Sequence, residues 1–167
     1  MRIALAIVVP LVAALLQGTV VPFLAIGGAR PNMPLLVAGS WSLAAGAGEA
    51  VWWAFLGGLA TDLLSGGPLG AFAIAALPPV AVIGLGERPA PRPIPWLVGA
   101  LLVGVAAFLA ALLYVLILFV AGPPPPDLGI VAAQAGGGAV YTGVCALAAY
   151  PVARWATRTR EKQASFG

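Results

Sequence analysis

Charged residues are scarce in this chain of 167 residues, which has eight lysines and arginines and five acidic residues, or 8% of the sequence. A soluble domain carries about 25% charged residues, so this composition excludes a water-soluble globular protein. Histidine is absent and Cys145 is the only cysteine. These absences exclude a disulfide within the chain and metal sites built from cysteine and histidine. With a mean hydropathy of +1.06, the sequence predicts an integral membrane protein.

Long polar connections are also missing, so one apolar run follows another. The runs are continuous and not alternating, which favours helices over a β-barrel, and each span needs about 20 apolar residues. We predict an all-α membrane domain over residues 1–156, a single six-helix bundle, followed by a basic cytoplasmic tail over 157–167. Pro10 and Pro22 should kink the first helix or end it early, and the glycines at 136–138 should interrupt the sixth. The predicted helices are about 3–26, 31–47, 50–66, 69–86, 95–121 and 128–156.

The basic residues divide unevenly between the two faces of such a bundle. Six spans place both termini on one side, together with the loops at 47–50 and 87–94. Arg30 alone lies on the opposite side. The positive-inside rule therefore puts both termini in the cytoplasm. We expect four tryptophans, Trp52, Trp53, Trp96 and Trp155, to lie at the inner interface. The basic residues on the inner side are Arg2, Arg88, Arg92, Arg154, Arg158, Arg160 and Lys162.

Asp62 is a carboxylate within the apolar run FLGGLATDLLSGGPLG of the third helix. An unpaired carboxylate inside a span costs roughly 2.5–3.5 kcal/mol. Arg30 is predicted at a similar depth, so we expect Asp62 to pair with Arg30 or to cap the backbone around Pro31 and Asn32. Three roles are open for Asp62: a structural pin, a substrate ligand or part of an ion relay. A relay usually needs several acidic or histidine residues at different depths, and no other lies within a predicted span. We favour the pin.

Small residues recur every four positions beside Asp62, at Ala54, Gly58 and Gly66. Such rows allow close approach of a neighbouring helix, so Asp62 should be buried against protein and not face lipid. A similar row occurs in the sixth helix, at Ala135, Ala139 and Gly143. No phosphate-binding loop, serine–histidine pair or pair of carboxylates flanking a cleft is present in the sequence. We therefore predict a protein that is not an enzyme and has no cofactor.

Short motifs over about residues 15–75 carry a family resemblance. They are VVPFLAIGG at the end of the first helix, Arg30-Pro31-Asn32, the run Gly58-Leu59-Ala60-Thr61-Asp62-Leu63, and the pair Leu69-Gly70. In order and spacing they resemble the rod shape-determining protein MreD family, and the second half of the chain fits in span count and hydropathy. The candidate structural or partner-binding residues are Arg30, Pro31, Asn32, Gly58, Asp62, Gly66 and Gly70.

The resemblance implies a non-enzymatic scaffold of the cell-wall elongation complex in the bacterial cytoplasmic membrane. Its expected partner is MreC, which has one transmembrane helix and a coiled-coil part, with indirect links to RodA, a class B transpeptidase and MreB. Membrane lipids are expected partners, nucleic acid is not, and a homodimer stays open. The family's fold is similar to the substrate-binding subunits of energy-coupling-factor importers. That alternative function requires a pocket drawing on Arg30, Asn32, Asp62, Gln17 and Gln134, and these polar groups are few, which favours the scaffold.

Overall fold

Six α-helices and one 3-10 turn make up the computed structural model, which describes residues 2–85, 94–121 and 127–164. The prediction of an all-α chain with six helices is confirmed for these residues. The 3-10 turn covers Val21–Leu24. The helices are α1 (Arg2–Thr19), α2 (Met33–Ala45), α3 (Ala47–Ser65), α4 (Ala71–Gly84), α5 (Trp96–Ala121) and α6 (Leu128–Ala164).

Proline and asparagine set the boundary between the first two helices. Helix α1 ends at Thr19, and Pro22 lies in the 3-10 turn that follows, as its missing N–H predicts. Asn32 is the N-cap of α2, because its side-chain oxygen accepts a hydrogen bond from the Leu35 N–H at 3.1 Å. An N-terminal N–H of α2 thus gains the partner that the helix itself does not supply.

Helix α6 is continuous, so the predicted interruption at residues 136–138 is wrong. Two of the three glycines, Gly137 and Gly138, instead make room for the loop before α2. A Cβ added to Gly137 would lie 2.7 Å from the Ala29 Cβ, and one added to Gly138 would lie 2.9 Å from the Arg30 carbonyl oxygen. The helix also continues to Ala164, beyond the predicted end at residue 156. The division into a membrane domain and a tail at that position stays a prediction.

Helix α2 is the centre of the bundle. It contacts all five other helices, whereas α3 packs on α1, α2 and α4, and α5 packs mainly on α6. Nine of its thirteen residues are buried. Because it is surrounded by protein, α2 has apolar residues on every face, as expected for a helix inside a bundle.

Two helices, α5 and α6, are long and apolar enough to cross a membrane, and α1, α2 and α4 hold shorter apolar stretches. Trp52, Trp96 and Trp155 are exposed, as an interfacial position requires, but the prediction for Trp53 is wrong. Trp53 is buried and stacks on Trp41, with ring centroids 4.7 Å apart. The orientation of the chain stays a prediction. Arg88, Arg92 and the prolines at 123–126 lie outside the described residues, as do the side chains of Arg2, Arg160 and Lys162.

Candidate functional site

Asp62 joins the end of α3 to the start of α4. It lies in the last turn of α3 and is 1% exposed, which confirms its predicted burial. Its carboxylate accepts hydrogen bonds from the Phe72 N–H, at 3.1 and 3.2 Å to its two oxygens, and from the Ala73 N–H at 3.4 Å. These N–H groups belong to the first turn of α4 and have no partner within that helix. A carboxylate there also stabilises the positive end of the helix dipole.

The predicted ion pair between Arg30 and Asp62 is wrong. Arg30 is exposed, and among the described residues the Asp62 side chain bonds only to the backbone of α4. The prediction that Asp62 caps the backbone around Pro31 and Asn32 fails for the same reason. The short turn between α3 and α4 brings the first N–H groups of α4 directly to the carboxylate. These donors satisfy it without an arginine.

Gly58 allows this junction to form. It lies one turn before Asp62 on the same face of α3, and a Cβ added to it would lie 2.6 Å from the Ala73 Cα and 2.9 Å from the Ala73 nitrogen. No side chain fits at that distance, so the predicted close approach at Gly58 is confirmed. The backbones of α3 and α4 are therefore in contact beside the hydrogen bonds between Asp62 and α4.

Gly66 and Gly70 serve the turn and not the helix packing. Gly66 ends α3 with φ of 68°, and Gly70 precedes α4 with φ of 87°. Both angles are in the left-handed region that glycine adopts at least cost. A Cβ added to Gly66 would meet nothing within 4 Å, so the prediction that Gly66 extends the packing row is wrong.

The segment Arg30-Pro31-Asn32 docks on α6 and not on α3. Pro31 is buried, and the Asn32 N–H donates to the Thr142 hydroxyl oxygen at 2.9 Å. The Thr142 hydroxyl, itself buried, donates to the Gly138 carbonyl at 2.7 Å. Next along the chain, the Met33 N–H donates to the Gln17 side-chain oxygen at 2.7 Å. Sequence reasoning missed Thr142, because a threonine within an apolar stretch has no pattern that marks its partner.

A cavity of about 380 Å³ lies beside Asp62, and we call it the Asp62 cavity. The structure brings Asn32, Asp62 and Gln134 to its wall, as the pocket alternative required, but Arg30 and Gln17 do not line it. Sequence reasoning missed four of its residues, because their common position depends on how α3, α4 and α5 pack. These are Thr61, Ser65, Phe72 and Tyr114. The remaining wall is apolar and consists of Ala111, Val115, Leu118, Val131 and Ala135.

A second concavity, the α5–α6 groove, measures about 580 Å³. At its floor the two helices cross closely, because a Cβ added to Gly104 would lie 3.3 Å from the Gly143 Cα. Ala139 and Gly143 of the predicted small-residue row thus pack against α5, whereas Ala135 lines the Asp62 cavity. The groove is lined by Leu97, Ala100, Leu101, Gly104, Val105, Phe108, Gly136, Ala139, Val140, Gly143, Val144 and Leu147.

Comparison with known proteins gives a family match over the first four helices. The family model of rod shape-determining protein MreD matches residues 1–85, a range that includes all seven candidate structural or partner-binding residues from Arg30 to Gly70. No curated protein and no solved structure matches the chain. The match covers half of the chain, confirms the resemblance and agrees with the apolar helices of a membrane protein. The chain therefore belongs to the rod shape-determining protein MreD family.

Proposed function

We propose that this protein is a non-enzymatic membrane scaffold of cell-wall elongation, which holds the transmembrane helix of MreC in the α5–α6 groove. Family membership connects the chain with rod-shape determination. The groove is the observation that carries the proposal, because it is a surface suited to another helix. By binding MreC the protein would regulate peptidoglycan synthesis indirectly, through RodA, a class B transpeptidase and MreB.

The shape and chemistry of the groove favour a helix as its occupant. It runs along α5 from Leu97 to Phe108, a length of about 16 Å, or three helical turns, at 1.5 Å per residue. Among the described residues, every one that lines it is apolar or glycine, so it offers nothing to a polar ligand. Its small-residue floor at Gly104 and Gly143 would let a partner backbone approach closely, as transmembrane helix packing requires.

We place the protein in the bacterial cytoplasmic membrane with both termini in the cytoplasm, on the basis of its basic residues. MreC then supplies one helix, and the bundle supplies the surface that receives it. The importer-subunit alternative has no support from the comparisons, in which the MreD family model matches and no curated protein or solved structure does.

The test fills the groove without disturbing the core. Val140 and Val144 line the groove and are 69% and 57% exposed, so Val140→Trp and Val144→Trp add bulk on the outer surface of α6. Val152, also on α6 and 63% exposed, lies outside the groove and provides the control Val152→Trp. The measurement is co-purification of each variant with MreC in mild detergent.

We expect the affinity of both groove variants for MreC to fall by about tenfold or more, equivalent to about 1.4 kcal/mol of binding free energy, so that less MreC co-purifies with them. Val152→Trp should retain it. Wild-type recovery of MreC by both groove variants would contradict the assignment of the groove. If the groove variants keep MreC but lose self-association of the chain, the assignment is also overturned. A second copy of the chain would then be the occupant of the groove.

A further inference from the structure

We propose that the Asp62 cavity binds a primary ammonium group, and that its source is the headgroup of an aminophospholipid of the phosphatidylethanolamine class. The cavity combines hydrogen-bond acceptors, an aromatic pair, an apolar wall and a carboxylate that has no cationic side-chain partner among the described residues. This binding does not depend on MreC, so it stands apart from the scaffold function.

The hydroxyl groups of the cavity present oxygen lone pairs. The Thr61 hydroxyl donates its hydrogen to the Gly57 carbonyl at 2.8 Å, and the Ser65 hydroxyl donates to the Asp62 carbonyl at 3.2 Å. Each hydrogen is committed within α3, so each oxygen remains free to accept. An ionised carboxylate accepts only, at about four lone-pair sites, and two backbone N–H groups contact that of Asp62. These three side chains therefore suit a ligand rich in donors.

The backbone beside the cavity has little to offer an anion. The N–H groups of Phe72 and Ala73 are bound to Asp62, and the N–H of Asn32 is bound to Thr142. Among the helix N-termini that the structure describes around this cavity, these donors are already satisfied. A phosphate or carboxylate would find no free amide cradle here, in contrast to the usual anion site at a helix start.

The charge of Asp62 also favours a cation. Within the described residues no arginine or lysine pairs with it, and only the N–H groups of α4 stabilise it. A buried carboxylate gains strongly from a donor that carries positive charge. Phe72 and Tyr114 line the same cavity as an edge-to-face pair, with centroids 5.9 Å apart. Aromatic faces attract ammonium groups through their quadrupole.

The rest of the cavity indicates that the ammonium carries an apolar tail. Val115, Leu118 and Val131 form part of its wall, which a small free amine would leave uncovered. Asp62 lies three residues before the end of α3, or about 5 Å from it. The six-span topology predicted from the sequence puts that end of α3 near the outer interface, where headgroups meet acyl chains. Gln134 is exposed and lines the cavity, so its amide can donate to the phosphodiester beside the ammonium. The volume is within the usual range of small-ligand pockets.

The first experiment varies the number of N–H donors on one lipid. The full-length chain in mild detergent is titrated with phosphatidylethanolamine, its N-methyl and N,N-dimethyl forms, phosphatidylcholine and phosphatidylglycerol, all with the same acyl chains. Retained lipid is measured by native mass spectrometry. A primary ammonium has three donors and a quaternary one has none. Retention should therefore fall with each added methyl group, by about tenfold in total from phosphatidylethanolamine to phosphatidylcholine. Equal retention of phosphatidylcholine or phosphatidylglycerol would overturn the proposal.

The second experiment places the lipid in the cavity. Ala135→Phe adds bulk to the cavity from α6 and leaves Asp62 itself unchanged, and Ala133→Phe is the control, since Ala133 is exposed and does not line the cavity. We expect Ala135→Phe to lower phosphatidylethanolamine retention by about tenfold and Ala133→Phe to leave it unchanged. Equal retention by both variants would overturn the assignment of the lipid to this cavity. Thermal unfolding of each variant checks that the bundle is intact.

A competition arm distinguishes a lipid from a soluble amine. Glycerophosphoethanolamine has the same headgroup without acyl chains, so it should not displace the lipid at equal concentration. Displacement at that concentration would show that a soluble amine is the natural occupant, and would overturn the lipid assignment. The assay contains no MreC, so its failure and the failure of the scaffold function can be told apart.

Discussion

The contact between Gly58 and Ala73 predicts that a single methyl group destabilises the junction of α3 and α4. In Gly58→Ala the new Cβ would be built 2.6 Å from the Ala73 Cα and 2.9 Å from its nitrogen. Both atoms are backbone, so no side-chain rotation relieves the contact, and α4 has to move away from α3. That movement also lengthens the hydrogen bonds between Asp62 and the first turn of α4.

The magnitude follows from three opposing effects. Overpacking in a close contact costs about 1–3 kcal/mol. Weakening a hydrogen bond to a charged group costs up to about 1.5–3 kcal/mol. Alanine regains about 1 kcal/mol over glycine within a helix. The two costs exceed the gain, so we expect Gly58→Ala to lower the free energy of unfolding by about 2 kcal/mol or more.

Gly48→Ala is the matched control in the same helix. A Cβ added to Gly48 would meet nothing within 4 Å, so this variant should gain up to about 1 kcal/mol from helix propensity alone. The assay is unfolding of both purified variants in the same detergent, followed by circular dichroism. Equal stability of Gly58→Ala and Gly48→Ala would refute the argument that backbone contact fixes the junction.

Two further predictions concern the charged residues. Asp62→Ala leaves the two N–H groups of α4 without their acceptor and should cost about 2–4 kcal/mol of unfolding free energy, whereas Asp62→Asn keeps one acceptor oxygen and should cost about half as much; equal losses in the same unfolding assay would contradict the capping role. Arg30→Ala should change that free energy by less than about 0.5 kcal/mol, because the side chain is exposed and does not pair with Asp62. Exchange of the two residues should therefore not restore the stability lost in Asp62→Ala, and restoration would revive the ion pair.

The helices and the burial of Asp62 could be predicted from the sequence, but the hydrogen-bond partner of Asp62 could not. Run length defined the helices, and the four-residue spacing from Gly58 placed Asp62 on a packed face. Arg30 and the first turn of α4 were both expected near the same end of the bundle. A charged side chain is visible in a sequence, whereas the free N–H groups of a helix start are not. Matching opposite charges therefore predicted Arg30 as the partner, whereas in the fold the carboxylate bonds to backbone N–H groups of α4.

The glycines of α6 show the same limitation in another form. Local propensity treats three successive glycines as an interruption, because each costs about 1 kcal/mol relative to alanine. In the bundle, Gly137 and Gly138 allow the loop at Ala29 and Arg30 to rest directly on the helix. Packing against that loop offsets the low propensity, and the helix continues. No sequence periodicity within α6 predicts this contact, because the loop lies more than a hundred residues earlier in the chain.

The helix junction and the two concavities draw on different halves of the chain. Residues 1–85, which match the family, contain the α3–α4 junction and the segment that docks on α6. The α5–α6 groove lies wholly in the second half, and the Asp62 cavity draws on both. Changes at Gly58 should therefore act first on folding, whereas changes at Val140 or Ala135 should act on binding in a bundle that remains stable. Since Ala135 and Gly136 are neighbours that line different concavities, lipid and MreC binding should both be measured for every α6 variant. A loss of one without the other would show that the cavity and the groove are separate sites.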